Sequence, residues 1–224
     1  MRNKLFWLTL FAIAFGFVES SVVVYLRKIY YGEETLLFPL KVFEAKIFLV
    51  ELLREAATII MLIAVPVAAF QKRILRFAGF LWCFAVWDIM YYVFLKLCIY
   101  WPATILDWDI LFLIPIAWAS PVLAPVICTL TMMLLAGIIF FYDDKNYAVK
   151  LSRLQIWLLI VGSLVILVSF MQDYGKLFFT TPSAQMQDVV AHYVPQNFNW
   201  ILFTAGEAIV LFGAWDLMKK LQKK

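Results

Sequence analysis

Charged side chains interrupt stretches of this chain that are otherwise apolar enough to cross a membrane. An ionised group at the bilayer centre costs at least about 2.5–3.5 kcal/mol on insertion scales, so such residues normally face the interior of a helix bundle. There they can pair with one another or exchange protons with a bound molecule. The set predicts a buried acidic site and consists of Glu19, Glu51, Arg54, Glu55, Asp88, Asp107, Asp109 and Glu207.

Three of these carboxyl groups are the predicted catalytic residues, namely Asp88, Glu55 and Glu19. The surrounding sequence supplies too few cations to pair with all of them. We expect an unpaired carboxyl in an apolar environment to stay protonated, and that is the form required of a general acid or a proton carrier. Asp88 and Glu55 would then be the acid and the base. The alternative is that these residues only hold helices together.

Helical spacing predicts which neighbours share a face with these groups. Arg54 lies three residues after Glu51 and can pair with it, and Tyr92 lies one turn beyond Asp88. Such an ion pair could bind substrate or simply join two helices. Asp107 and Asp109 are expected to cap the start of a helix. The predicted substrate-binding residues are Glu51, Arg54, Trp87, Tyr92, Trp118 and Glu207.

The segment around Asp88 resembles part of a known family. Residues 84–91 read FAVWDIMY, which is similar to a segment of small integral-membrane terpene cyclases. In that family an acidic residue after tryptophan is implicated in protonating the substrate. The resemblance covers eight residues and implies that Asp88 is the acid, although this chain has Asp where that family has Glu.

The elements that must position these residues are membrane-spanning helices. Of the 224 residues, 65% are hydrophobic and 15% are charged, whereas soluble domains are about half apolar and a quarter charged. We therefore predict an all-α, polytopic integral membrane bundle that forms a single domain over residues 1–224. About twenty apolar residues cross the bilayer, which gives about six spans: 5–26, 42–70, 76–100, 110–141, 154–172 and 198–218.

The fourth predicted span is too long for one straight crossing and contains Pro115, Pro121 and Pro125. Internal prolines kink or break a helix, so we expect this helix to be broken. Freed carbonyl groups at membrane depth are tolerated inside protein or beside a cavity, and transporters use such breaks at binding sites. A simple packing kink is the alternative. After the fifth span, Thr181 and Pro182 are expected to open a short helix over 183–194.

Basic clusters predict the orientation of the chain. They fall on one side of the spans, which the positive-inside rule makes cytoplasmic. Both termini would be cytoplasmic, in the cell membrane, and the acidic site would open to the extracytoplasmic side. Residues 5–26 are too long for a signal-peptide core and contain Glu19, so we expect a retained helix. The clusters are Arg2 and Lys4; Lys72, Arg73 and Arg76; Lys145, Lys150 and Arg153; and Lys219, Lys220, Lys223 and Lys224.

The residue inventory argues against several cofactors. His192 is the only histidine, which disfavours histidine-rich diiron sites and bis-histidine haem. The occupancy of any metal site is unknown from the sequence, and an all-oxygen site would suit Mg, Ca or Mn. The three cysteines form no CxxC pair, and no nucleotide fingerprint or nucleic-acid signature is present.

Three functions remain open. The first is a membrane enzyme that performs acid–base chemistry on a lipid-phase or extracytoplasmic substrate. The second is a proton- or cation-coupled transporter that uses the same carboxylates. The third is an accessory subunit of a larger membrane complex. Membrane lipid is the expected partner in each case, with other membrane subunits or a homo-oligomer as further partners.

Overall fold

The computed structural model describes residues 1–32, 37–41, 43–182 and 185–222. In these residues the chain is an all-α bundle, as predicted, with one short antiparallel hairpin. The hairpin strands are β1 (Trp108–Ile110) and β2 (Ala119–Pro121), with Asp109 opposite Ser120. The helices are α1 (Arg2–Tyr31), α2 (Ala45–Ala69), α3 (Arg73–Ile99), α4 (Leu123–Asp144), α5 (Arg153–Thr180), α6 (Met186–His192) and α7 (Trp200–Gln222).

Five helices in the described part of the chain are long and apolar enough to cross a membrane: α1, α3, α4, α5 and α7. Large apolar side chains also cover the outside of the bundle. Ile29 is 73% exposed and Ile201 is 84% exposed. Such an apolar exterior is unfavourable in water and favourable against lipid. These helices and this apolar exterior support the prediction of a helical membrane protein. Helix α2 has 25 residues and carries Glu51, Arg54 and Glu55.

The helices pack in two groups joined through α4. Helix α1 packs on α3, α5 packs on α7, and α4 contacts both α3 and α7. Two glycines allow a close crossing of α5 and α7: a β-carbon at Gly162 would lie 2.9 Å from the carbonyl oxygen of Gly206. Among the helices, α2 packs on α1 and α3, and within the described residues it makes no close backbone contact with α5 or α6. A gap is therefore left between α2 and α5.

One end of the bundle, called here the basic end, holds the starts of α1, α3 and α5 and the ends of α2, α4 and α7. Polar contacts join these termini. Lys72 Nζ lies 2.8 Å from Asp143 Oδ1, and Gln155 Nε2 donates to Asp216 Oδ2 at 2.8 Å. Ser152 caps α5 by accepting a hydrogen bond from the Gln155 amide. The described members of the predicted basic clusters thus share one end of the molecule.

The predicted span 110–141 is divided in the structure. Only Leu123–Asp144 is helical, and residues 108–121 form the hairpin. Proline has no amide hydrogen to donate, which suits the turn that holds Pro115 and the strand end at Pro121. Pro125 lies in the first turn of α4, where amide hydrogens need no partner within the helix. The segment is thus a hairpin followed by a helix, instead of one helix broken by prolines.

The short helix after α5 begins later than predicted. Helix α6 occupies Met186–His192. The helix was expected to start at Thr181 and Pro182. The next two residues, 183 and 184, lie outside the described residues. Thr181 itself follows the last turn of α5, and its amide donates to the Leu177 carbonyl at 2.9 Å.

Candidate functional site

A cavity of about 620 Å³ lies at the end of the bundle opposite the basic end. Helices α1, α2 and α3 and the hairpin form most of its wall, and α5 and α6 add side chains at its edge. Apolar and aromatic groups predominate, as in most ligand-binding cavities. Seven of the predicted site residues are brought together in this wall: Glu19, Glu51, Arg54, Glu55, Trp87, Asp88 and Tyr92.

Arg54 links two of the buried carboxylates. Its Nε donates to Glu51 Oε2 at 2.8 Å, and its Nη1 donates to Glu19 Oε1. Thr58 Oγ1 also donates to Glu19 Oε2, at 3.2 Å. Because Glu19 belongs to α1 and the other three residues to α2, this network fastens the two helices together. It also leaves one positive charge between two negative charges in the cavity wall.

Glu55 fastens the hairpin to α2. The Leu113 amide lies 3.0 Å from Glu55 Oε1 and 2.9 Å from Oε2, so both oxygens face the turn of the hairpin. Glu55 is 6% exposed. A carboxylate that receives a backbone N–H is held in one orientation. Glu55 therefore shapes the cavity as well as contributing a titratable group to its wall.

Asp88 differs from the other carboxyl groups in having no internal partner. It lines the cavity from the middle of α3. In the described part of the chain, its side chain makes no hydrogen bond and no ion pair. The neighbouring Trp87 also lines the cavity, is 4% exposed, and has an indole Nε1–H without a hydrogen-bond partner among the described residues. Asp88 and Trp87 are thus available to a molecule bound in the cavity.

Asp109 is part of this cavity wall, although a helix-capping role was favoured for it from the sequence. That expectation was wrong, because Asp109 lies in β1. Its Oδ1 lies 3.5 Å from Arg27 Nη2, and Tyr91 Oη donates to its Oδ2 at 3.5 Å. Burial raises the pKa of Asp109 to about 6, and the Arg27 charge opposes that increase.

Asp107 also caps no helix. Its carboxylate accepts hydrogen bonds from the Ala103 amide at 2.7 Å and from Thr104 Oγ1 at 2.8 Å. It therefore stabilises the turn that leads into β1. This turn stands outside the wall of the cavity and only supports the hairpin.

Trp118 and Glu207 are not among the described residues that line the cavity. Glu207 lies between α7 and α4, where it accepts a hydrogen bond from Thr131 Oγ1 at 2.8 Å. Trp118 lies just before β2 and packs on Phe112 with 5.2 Å between ring centroids. Both residues were predicted to lie with the cavity residues. The orientation of α7 and of the hairpin instead keeps their side chains out of the cavity wall.

The sequence analysis did not single out Arg27 or Tyr174 as parts of the site. The Arg27 guanidinium lies 3.8 Å from the centre of the Trp101 ring and pairs with Asp109. Tyr174 lines the cavity and is 5% exposed, and its hydroxyl has no hydrogen-bond partner among the described residues. Arg27, a basic residue directly after the first predicted span, was a usable signal; nothing in the local sequence marks Tyr174.

The cavity therefore combines a mainly apolar wall with one unpaired carboxyl, a carboxylate held by a backbone amide and an arginine between two acids. Among the described residues, no group of three His, Cys, Asp or Glu side chains is arranged to hold a metal ion. Such a wall can bind a largely apolar molecule and exchange a proton with it. In comparisons with protein-family models, curated proteins and solved structures, nothing matches this chain.

Proposed function

We propose that this protein is a membrane enzyme that performs acid–base chemistry on a substrate taken from the lipid phase. Asp88 is the general acid in this proposal. The observation that carries it is the Asp88 carboxyl, which lines the cavity and has no partner within the described protein. A general acid must reach its substrate directly or through one water, and Asp88 is free to do so.

Glu55 is the proposed base. Its carboxylate is already oriented by the Leu113 amide, and it lines the same cavity as Asp88. Glu19 and Glu51 hold Arg54 in place. In this arrangement Glu19 acts on the site only through Arg54, which contributes a positive charge to the cavity wall.

The proposal places the cavity in the outer half of the membrane. Helix α2 would be the sixth crossing, beside the five apolar helices. The positive-inside rule makes the basic end cytoplasmic, which puts both ends of this chain in the cytoplasm of a cell. The sequence and the shared position of the basic clusters support this orientation.

Access from the lipid is proposed between α2 and α5. Phe48 of α2 and Phe178 of α5 both line the cavity, although these helices do not pack on each other. Both phenylalanines also contribute to the exterior, with Phe48 42% exposed and Phe178 58% exposed. An apolar molecule could therefore pass sideways from the membrane without crossing water.

Comparison of Asp88→Asn with Glu207→Gln tests this function. Each purified variant is incubated in nanodiscs with a membrane lipid extract, and consumed and formed compounds are identified by mass spectrometry. Glu207→Gln is the control because it neutralises a buried carboxyl outside the cavity wall. Wild type and the control should convert the same compound, and Asp88→Asn should convert it at least about a hundredfold more slowly.

Two results would contradict the proposal. One is unchanged conversion by correctly folded Asp88→Asn. The other is proton flux into liposomes, driven by a solute and lost in Glu55→Gln, without any chemical conversion. The second result would instead assign the cavity to a proton-coupled transporter.

A further inference from the structure

We infer that the cavity binds an uncharged, mainly aliphatic molecule through a single hydroxyl or carbonyl oxygen. This inference rests on the proposed function and specifies the chemical class of its substrate. It depends on the unpartnered donors in the wall, on the charges already engaged there and on the apolar remainder of the wall.

The unpartnered indole of Trp87 requires an acceptor, whereas the hydroxyl of Tyr174 can donate or accept. Trp87 Nε1–H and Tyr174 Oη both belong to residues that line the cavity, and neither has a hydrogen-bond partner among the described residues. A buried donor without a partner costs free energy, which a bound acceptor would recover. An indole N–H can only donate. Trp87 therefore requires a ligand atom with a lone pair, which an ammonium group lacks.

The charges in the wall disfavour an anion. Among the described residues, five carboxyl groups line the cavity, against three basic side chains, Arg27, Arg54 and Lys41. Arg54 is engaged by Glu19 and Glu51, Arg27 by Asp109, and Lys41 Nζ lies 5.8 Å from the centre of the Tyr31 ring. A phosphate or carboxylate head group would therefore meet excess negative charge, because the two arginines are already neutralised by protein carboxylates. The acidic members are Glu19, Glu51, Glu55, Asp88 and Asp109.

An uncharged oxygen satisfies both conditions. It can accept a hydrogen bond from Trp87, and its second lone pair can accept one from protonated Asp88. The proton can then pass from the Asp88 carboxyl to this oxygen and leave a carboxylate behind. The remaining wall suits an aliphatic body, since Leu26, Leu40 and Ile110 line the cavity beside the aromatic rings.

Four probes with the same alkyl chain test the head group: dodecanol, dodecylamine, dodecanoate and dodecane. Each is added at equal mole fraction to nanodiscs that contain the wild-type protein, and binding is measured as the increase in melting temperature. Dodecanol should stabilise the protein most. Equal or greater stabilisation by dodecylamine or dodecanoate would overturn the assigned class, and equal stabilisation by dodecane would show that no head group is recognised.

A pair of tryptophan variants tests the hydrogen bond. Trp87→Phe and Trp118→Phe each remove a buried indole N–H that has no partner among the described residues, but only Trp87 lines the cavity. Trp87→Phe should weaken dodecanol binding about three- to tenfold, the effect of one hydrogen bond, and Trp118→Phe should leave it unchanged. Equal effects of the two variants would contradict the inference. The probe series on wild type remains decisive if Trp87→Phe does not fold.

Asp88→Asn separates this inference from the proposed function. The amide can still donate to an oxygen, so dodecanol should bind this variant within about threefold of wild type, while substrate conversion is lost. Dodecanol binding together with undiminished conversion would refute Asp88 as the acid and leave the ligand class standing. Loss of conversion with a preference for dodecylamine would refute only the ligand class.

Discussion

Arg54 pairs with two of the acidic residues in the cavity wall and so reduces the repulsion between them. Its guanidinium is shared between Glu19 and Glu51, so two of the buried carboxylates pair with one cation. Asp109 has Arg27 in a similar role, whereas Asp88 has no cation in the described part of the chain. The unequal distribution of cations therefore distinguishes Asp88 from the supporting acids around it.

Arg54→Gln should destabilise the protein strongly because it leaves Glu19 and Glu51 close together without a cation. Removing one partner of a buried ion pair costs about 3–5 kcal/mol. Lys220→Gln is the control, since it breaks the Lys220–Asp216 pair, in which Lys220 is 51% exposed; exposed pairs contribute only about 0–1 kcal/mol. Melting temperatures in detergent measure both, and similar decreases would refute a special role for Arg54.

Asp109 should make stability depend on pH. Its pKa in the folded protein is about 6, above the ordinary value of 3.8, so the folded state binds the proton more tightly. The resulting stabilisation is full below about pH 4 and is lost as the pH rises through 6. Between pH 5 and 7 the loss is about 1 kcal/mol.

Thermal melting of wild type and Asp109→Asn at pH 5, 6 and 7 measures this effect. The melting temperature of wild type should fall relative to that of Asp109→Asn as the pH rises. A constant difference between the two proteins would show that Asp109 does not take up a proton in this range.

At the scale of elements, the hairpin completes the cavity wall that the helices begin. It brings Asp109, Ile110 and Leu113 to the site, and Glu55 of α2 holds its turn. The proline-rich sequence marked this segment as irregular. Its pairing of Trp108–Ile110 with Ala119–Pro121 depends on the helices beneath it, because an isolated two-stranded hairpin is only marginally stable.

Another element-scale prediction concerns the crossing of α5 and α7. Gly162→Ala should destabilise this contact, because the added β-carbon would lie 2.6 Å from Val210 Cγ2 and 2.9 Å from the Gly206 carbonyl oxygen. Overpacking of this kind costs about 1–3 kcal/mol. Gly137→Ala in α4 is the matched control, since its β-carbon would meet no atom within 4 Å. If both variants melt at the same temperature, the close crossing is not needed for stability.

At the scale of the whole molecule, the basic clusters and the cavity with its acidic residues lie at opposite ends of the bundle. At the basic end, Lys72 before α3 forms an ion pair with Asp143 in the last turn of α4. The cavity with its acidic residues occupies the opposite end. If the basic end is cytoplasmic, as proposed, the site is reached from the extracytoplasmic side.

Reporter fusions test that orientation. Green fluorescent protein joined after Gln222 should fluoresce, because the basic end is cytoplasmic under the positive-inside rule. Alkaline phosphatase inserted after Thr104, in the turn before β1, should be active because that turn would be extracytoplasmic. Absence of fluorescence from the Gln222 fusion, together with an inactive phosphatase at Thr104, would contradict the proposed orientation.

The sequence by itself determined the helical membrane class and most members of the site, because apolar length and isolated charges are local properties of the chain. Glu19, Glu55 and Asp88 were identifiable since each interrupts an apolar stretch. Their meeting in one cavity, and the exclusion of Glu207 and Trp118 from its wall, were decided only by the tertiary structure. Helix rotation, hairpin pairing and the choice of partner for each carboxyl depend on contacts between residues far apart in the chain, which no local pattern records.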